Sequence, residues 1–438
     1  MPDRRRAKAA KTTAADAAPV EVTVASVGAR GDGVADAGGR RLFVPLAAPG
    51  DRLLVRPGAR RGDGCEAEIA AVLAPGPDRV EPPCPRFGDC GGCALQHLSD
   101  AARAAWARDR VVEALARVGL GGVPVAPTVT TPPGERRRAV LVAERRGRRV
   151  TLGFNARRSH RIVPPDGCRV LDPRILALLG PLAATLADVM ADGTTIDVAV
   201  TLLDDGPDVV LVGRLPLDLA ARERVAAFAE AADLARLSLR PGPTAPTEPL
   251  VHRRAGVLSM GGVPVSPPPG GFLQASPSGE AALRRLVAVG TGTARRIADL
   301  FAGSGTFALP LAAAGAAVHA VEGDPASVAA LRGAATRVAG VTVEHRDLDR
   351  DPVPARDLAR FDAVVFDPPR AGADGQAREI AASGVPRVVG VSCNPASFAR
   401  DARTLVDGGY ALTAVTPVDQ FVWSAHVELV GTFGRARG

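Results

Sequence analysis

Between residues 297 and 338 the chain alternates in a manner few folds accommodate: an apolar run at 297–301, a helical period at 307–314, a second apolar run at 317–321 and a second helical stretch at 325–338. Strands separated by whole helices do not close hairpins, so they lie parallel in one sheet with helices packed on its faces. Further strand candidates at 363–366, 387–391, 411–415 and 427–433 extend the same sheet. The pattern predicts a doubly wound, Rossmann-like α/β domain over residues 276–438. Gly303 and Gly305 stand between its first strand and first helix, where the backbone must turn sharply and can approach a ligand closely.

A chain of 438 residues with 46% apolar content exceeds one domain and can fill several cores. Residues 1–18 carry Arg4-Arg5-Arg6 and an Ala/Thr/Asp mixture, and read as a disordered basic tail. Over 19–79, alternating runs such as Val20-Glu21-Val22-Thr23-Val24 and Arg41-Leu42-Phe43-Val44-Pro45 are broken by Gly31-Asp32-Gly33 and Pro49-Gly50-Asp51. This predicts a small β-barrel, and the stretch resembles the TRAM domain, an OB-like RNA-binding module. Any other small barrel would carry the same alternation. Residues 80–275 combine a helical period at 101–118, a strand-like run at 196–201 and an alanine-rich helix at 219–234, which predicts a central α+β domain. No stretch approaches the roughly 20 uninterrupted apolar residues of a membrane span, so a cytoplasmic, monomeric protein without a membrane partner is expected.

The turn Gly303-x-Gly305-x-x-Ala308 fits a nucleotide-like cofactor, and Glu322, nineteen residues after Gly303, ends the second strand where a carboxylate can accept ribose hydroxyls. At this point a dinucleotide-dependent dehydrogenase and a methyltransferase both satisfy the pattern. Asp367-Pro368-Pro369-Arg370 follows a later strand, as an acidic or amide residue with two prolines does in nucleic-acid methyltransferases; a plain proline turn would look the same. Cys393, in Val391-Ser392-Cys393-Asn394-Pro395, ends the apolar run 388–391 and reads either as a nucleophile or as an inert core cysteine. His426-Val427-Glu428 offers an imidazole and a carboxylate for proton abstraction.

Phe272-Leu273-Gln274, Asp367-Pro368-Pro369-Arg370-Ala371-Gly372, Ser392-Cys393-Asn394-Pro395 and His426-Val427-Glu428 occur in an order that resembles the RNA 5-methyluridine methyltransferase family over almost the whole chain, its ribosomal RNA branch above all. The resemblance implies a thiolate of Cys393 adding to uracil C6 and Glu428 removing the C5 proton. It also implies S-adenosylmethionine and uracil sites lined by Gln274, Phe301, Thr306, Glu322 and Asp367 beside Gly303 and Gly305, with Asp347 near the adenine. Two departures from the family stand out, at three positions: it commonly has Asn at Thr306 and Val-Asn at Ala275-Ser276. These departures keep a second reading open, an RNA-binding protein whose methyltransferase domain is silent.

Cys84-x5-Cys90-x2-Cys93 gathers three thiols among glycines, a pattern suited to a bulky inorganic core. The resemblance gives Cys168 as the fourth ligand of a four-iron four-sulfur cluster; zinc is the competitor, although the spacing is not the usual paired Cys-x2-Cys. A structural role is expected, because methyl transfer needs no electron. Cys65 is expected in the barrel core. Arg136-Arg137-Arg138, Arg145-Arg146, Arg148-Arg149 and Arg157-Arg158 suggest a phosphate track beside Phe154, and the net charge of +7 agrees with an RNA partner. The barrel and cysteine cluster resemble the family's ribosomal branch more, which implies ribosomal in preference to transfer RNA.

Overall fold

The computed structural model describes residues 18–242 and 244–435, so the basic tail, but for Ala18, lies outside the described residues. Two compact units emerge. The first takes the described residues up to Gly88 with Gly92–Trp106 and Trp423–Ala425; the second takes Asp89–Gly91, Ala107–Val422 and the described residues from His426.

In the first unit, β1 (Val20–Val27), β2 (Gly33–Ala37), β3 (Arg40–Val44), β4 (Arg52–Arg61) and β5 (Gly64–Ala74) close a barrel in the order β1-β2-β3-β5-β4. Alternation drives it: Val22, Val24, Leu42, Val44, Leu53 and Val55 point inward and are buried, and Cys65 packs against this core. Helix α1 (Asp100–Arg117) follows, and β6 (Val129–Thr130) starts the strands of the second unit.

The second unit holds two sheets. One is built from β7 (Arg138–Arg146), β8 (Arg149–Asn155), β9 (Ile162–Val163), β10 (Thr195–Leu203), β11 (Gly206–Val212), β12 (Arg236–Arg240) and β13 (Glu248–His252), in the order β13-β12-β11-β10-β7-β8-β9. Its core includes apolar residues of α2 (Pro173–Val189) and α3 (Leu219–Ala231), among them Ile175, Leu182, Val225 and Phe228. A small hairpin, β14 (Leu258–Met260) with β15 (Val263–Val265), leads to the second sheet.

That sheet runs β18-β17-β16-β19-β20-β22-β21-β6. Its elements in chain order are α4 (Pro277–Thr291), β16 (Arg296–Leu300), α5 (Ala308–Ala313), β17 (Ala317–Glu322), α6 (Pro325–Ala335), β18 (Val341–His345), α7 (Ala355–Leu358), β19 (Ala363–Phe366), α8 (Asp374–Ser383), β20 (Arg387–Ser392), α9 (Pro395–Asp407), β21 (Tyr410–Asp419) and β22 (Glu428–Arg435). From β18 to β20 neighbouring strands are parallel, as the alternation predicts. The wholly parallel expectation needs correcting at the other end: β22 inserts antiparallel between β20 and β21. No helix separates β21 from β22, so no crossover carries the chain back to the opposite edge. Two further strands escaped the pattern. β18 is a half-exposed edge with polar residues mixed in, and β6 comes from far upstream to pair with β21.

Candidate active site

The turn after β16 is built on positive φ. Phe301 has φ +62°, Gly303 +56° and Gly305 +106°, and only the glycines adopt this region without strain. A Cβ at Gly305 would come within 2.7 Å of Leu309 and Leu331, so the turn presses on its own helix there. At Gly303 a Cβ would meet nothing within 4 Å, which leaves that side open for a ligand. The Gly303 and Asp324 N–H groups donate to Glu322 Oε2 and Oε1, each at 2.7 Å. Glu322 is thereby fixed at the end of β17, and each oxygen keeps a lone pair for a ribose hydroxyl. Thr306 sits half-buried on the same turn, whereas Asp347 lies exposed after β18. The open glycine turn and the anchored carboxylate fit S-adenosylmethionine.

The reactive groups gather at the ends of the neighbouring strands, the carboxyl edge where open α/β sheets bind ligands. Asp367, half-buried after β19, donates its N–H to Leu300 O at 3.2 Å. Half-buried Cys393 follows β20 directly. Asn394 caps α9 by accepting the Ala396 N–H at 3.1 Å, and Pro395 opens the helix, so Asn-Pro fixes the chain just beyond the thiol. Asn394 Nδ2 and Ser397 Oγ both donate to Arg370 O at 3.1 Å, tying the Asp-Pro-Pro-Arg loop to the cysteine loop. Ser392 pairs with Leu429 across β20 and β22, which sets Glu428 at the strand end beside Cys393. A parallel β22 would start at the far edge of the sheet.

Gln274 is buried and donates to Asp367 Oδ2 at 3.5 Å. Gln420, which sequence reasoning missed, joins these groups: its Nε2 donates to Gln274 Oε1 and to Glu428 Oε2, both at 2.8 Å, and its Oε1 accepts the Ala275 N–H at 3.2 Å. A glutamine directly after a strand carries no motif; only its burial, at 3% exposure, marks it.

Burial pushes the Glu428 carboxyl upward, the charge of Asp367 pushes it further, and the Gln420 hydrogen bond opposes both. Asp367 is also raised by desolvation. The Cys393 thiol is pushed up to about 11, by burial first and then by the charges of Glu428 and Asp367. Burial lowers the His426 imidazole, as do Arg370 and Arg136. Asp299, a second residue sequence reasoning missed, is fully buried under the turn and raised well above the carboxylate range by desolvation and then by Asp367. The thiol and the carboxyls therefore keep their protons to higher pH than usual, while the imidazole loses its proton more readily.

The arginine cluster does not form one exposed track. Arg137 is buried, pairs with Glu280, and donates its Nε to Gln274 O at 3.1 Å, so it braces the active site. Arg138 stacks over Phe272 with its guanidinium carbon 4.5 Å from the ring centroid, while Arg146, Arg148, Arg149 and Arg158 are exposed. Cys84 and Cys93 belong to the first unit, Cys90 and Cys168 to the second, and all four are half-buried. Among the described residues, no group of three or more His, Cys, Asp or Glu side chains is assembled to hold a metal ion, and no helix is long and apolar enough to cross a membrane.

Residues 280–435 match the family model described as tRNA (uracil-5-)-methyltransferase. The chain is 43% identical over 420 residues to an uncharacterized RNA methyltransferase of Brucella suis, covering 95% of this chain and 98% of that one. It is 37% identical over 456 residues to the 23S rRNA (uracil(1939)-C(5))-methyltransferase RlmD of Halomonas elongata, covering 97% and 92%. The crystal structure of the Pyrococcus abyssi tRNA (uracil-54, C5)-methyltransferase in complex with S-adenosyl-L-homocysteine superposes with a TM-score of 0.73 at 22% identity, covering 94% of this chain and 100% of that one, and so shares its fold. By this near full-length identity, and by the family model over its catalytic sheet, the protein belongs to the S-adenosylmethionine-dependent RNA (uracil-5-)-methyltransferase family.

Proposed function

We propose that the protein methylates C5 of a specific uridine in RNA through a covalent adduct between Cys393 and uracil C6. The observation that carries this reading is the pairing of β20 with β22, which sets a thiol and a buried carboxylate at one strand end, joined to Gln274 and Asp367 through Gln420. Uracil C5 is too weak a nucleophile to take a methyl group unaided. The Cys393 thiol loses its proton, the thiolate bonds to C6, and the displaced π electrons make C5 an enolate carbon. Bound S-adenosylmethionine would supply the methyl group to C5, its sulfonium S–CH3 bond breaking to leave S-adenosylhomocysteine. Glu428 removes the remaining C5 proton; the electron pair re-forms the C5–C6 bond and expels the thiolate. Gln274 and Asp367 hold the base. Phe301, Gly303, Gly305, Thr306, Glu322 and, at the adenine end, Asp347 hold the cofactor.

Ribosomal RNA is the preferred substrate, because the Halomonas elongata relative is named for 23S rRNA; the family model and the Pyrococcus abyssi enzyme carry tRNA names and support the second reading. The same proposal includes the three-domain division at residues 79 and 275, RNA binding by the barrel as a TRAM-type module, and a monomer acting in the cytoplasm. Thiol spacing supports a four-iron four-sulfur cluster on Cys84, Cys90, Cys93 and Cys168, with zinc as the alternative. The test is methyl transfer from labelled S-adenosylmethionine to RNA from cells lacking the gene, followed by mass mapping. Label on uracil C5 of a ribosomal fragment is expected; label on any other atom overturns the assignment.

A further inference from the structure

We propose that Gln420 is a positioning residue that makes the site read uracil and reject cytosine; this rests on the uracil-C5 reading above. A backbone N–H can only donate, so the end of the Gln420 amide that faces Ala275 N is its oxygen. Its other end is then the NH2 group, whose two hydrogens go to Gln274 Oε1 and Glu428 Oε2. With its oxygen turned toward Gln420, Gln274 presents its NH2 group on the opposite side, where Asp367 lies at 3.5 Å.

Rotation of the Gln274 backbone is also blocked. The Arg137 Nε donates to Gln274 O, and the Arg137 N–H donates to Ala275 O at 3.0 Å. Gln420 itself is wedged, since a Cβ on Gly279 would sit 2.5 Å from the Gln420 Cβ. A fixed donor on Gln274 beside the acceptor of Asp367 complements the O4 acceptor and N3–H donor of uracil. Cytosine presents the reverse, an amino group and a bare N3, and would leave buried polar groups facing their own kind. Asp367 Oδ2 accepts from the same NH2 group only at 3.5 Å, against 2.8 Å for the bond from Gln420 to the Gln274 oxygen, so Gln420 is the closer constraint on the amide and acts one residue away from the base.

The experiment uses full-length protein, S-adenosylmethionine, and RNA carrying either 5-fluorouridine or 5-fluorocytidine. Fluorine at C5 cannot leave as a proton does, so a reacting base stays bound to Cys393 and the adduct survives a denaturing gel. Wild type is expected to trap the fluorouridine RNA. Q420M removes the donor and frees the Gln274 amide to turn, so the uridine-to-cytidine trapping ratio should fall about tenfold or more. Q420E keeps the side-chain volume and turns the Gln274 NH2 group toward the new carboxylate, so its ratio should fall further. On uridine RNA, the rising limb of the pH–rate profile should move to higher pH in both variants, because Glu428 loses the hydrogen bond that holds it down. Thermal melting and S-adenosylhomocysteine binding report folding, and Q420E carries the test if Q420M unfolds. Equal losses on both RNAs with an unmoved pH limb overturn the role of Gln420 alone. Wild-type protein that traps neither RNA overturns the uracil-C5 reading and this inference with it.

Discussion

Burial, with the charges of Glu428 and Asp367, holds the Cys393 thiol protonated. The thiol near 11 is raised partly by the Glu428 charge, so iodoacetamide should label Cys393 slowly near neutral pH and faster as pH climbs. Above the raised Glu428 value of about 8, E428Q removes that charge, lowers the thiol pKa, and should speed labelling by about threefold to tenfold; unchanged labelling there would mean that the carboxylate does not face the thiol. In turnover the same variant should accumulate the adduct that wild type resolves, visible on a denaturing gel. Glu428, Asp367 and Asp299 bind protons more tightly folded than unfolded, so their contribution to stability is complete below the ordinary carboxylate range and is lost as pH rises through their raised values. The melting temperature of ligand-free protein should therefore decline from mildly acidic to alkaline pH, and E428Q and D299N should flatten the decline. Ser276, which departs from the family's Asn, caps α4 by accepting the Gly279 N–H at 3.1 Å, a duty both residues perform. S276N should melt like wild type, and S276A should lose about 1 kcal/mol.

Among the elements, the turn after β16 divides its glycines by task. Gly305 lies against Leu309 and Leu331 at φ +106°, so G305A should destabilise the fold by about 2 kcal/mol or more in denaturant titration. Gly303 has space around it, so G303A should cost only about 1 kcal/mol of backbone strain while weakening S-adenosylhomocysteine binding in calorimetry. Equal effects at both positions would contradict this division. The turn, Glu322, Cys393 and Glu428 were legible because each stands at a strand end marked by glycine, proline or a change of period. The antiparallel insertion of β22 was not legible, since apolar alternation records that a strand exists but not which neighbour it pairs with. Gln420 was hidden for a similar reason: its meaning lies in partners that no local pattern joins to it, at 274 and 275 far upstream and at 428 on the next strand.

Across the whole molecule, the composition announced a polyanionic partner but not where it lies, because arginine richness does not separate Arg137, buried against Glu280, from exposed Arg148 and Arg149. Replacing both exposed arginines by glutamine should weaken RNA binding and reduce its salt slope by up to about 2, with little change in melting temperature. R137Q should do the opposite, lowering stability and methyl transfer with little effect on the salt slope. Iron analysis and visible absorption of anaerobically purified protein should show a cluster lost in C168S; zinc without iron would replace that assignment. The β20–β22 pairing has a consequence for substrate choice. Adjacent strands keep a spacing of about 4.8 Å, so in the proposed mechanism the ladder holds the attacking thiol and the proton-removing carboxylate side by side whatever the substrate does. A base whose electrophilic and proton-bearing carbons are neighbours suits that side-by-side arrangement.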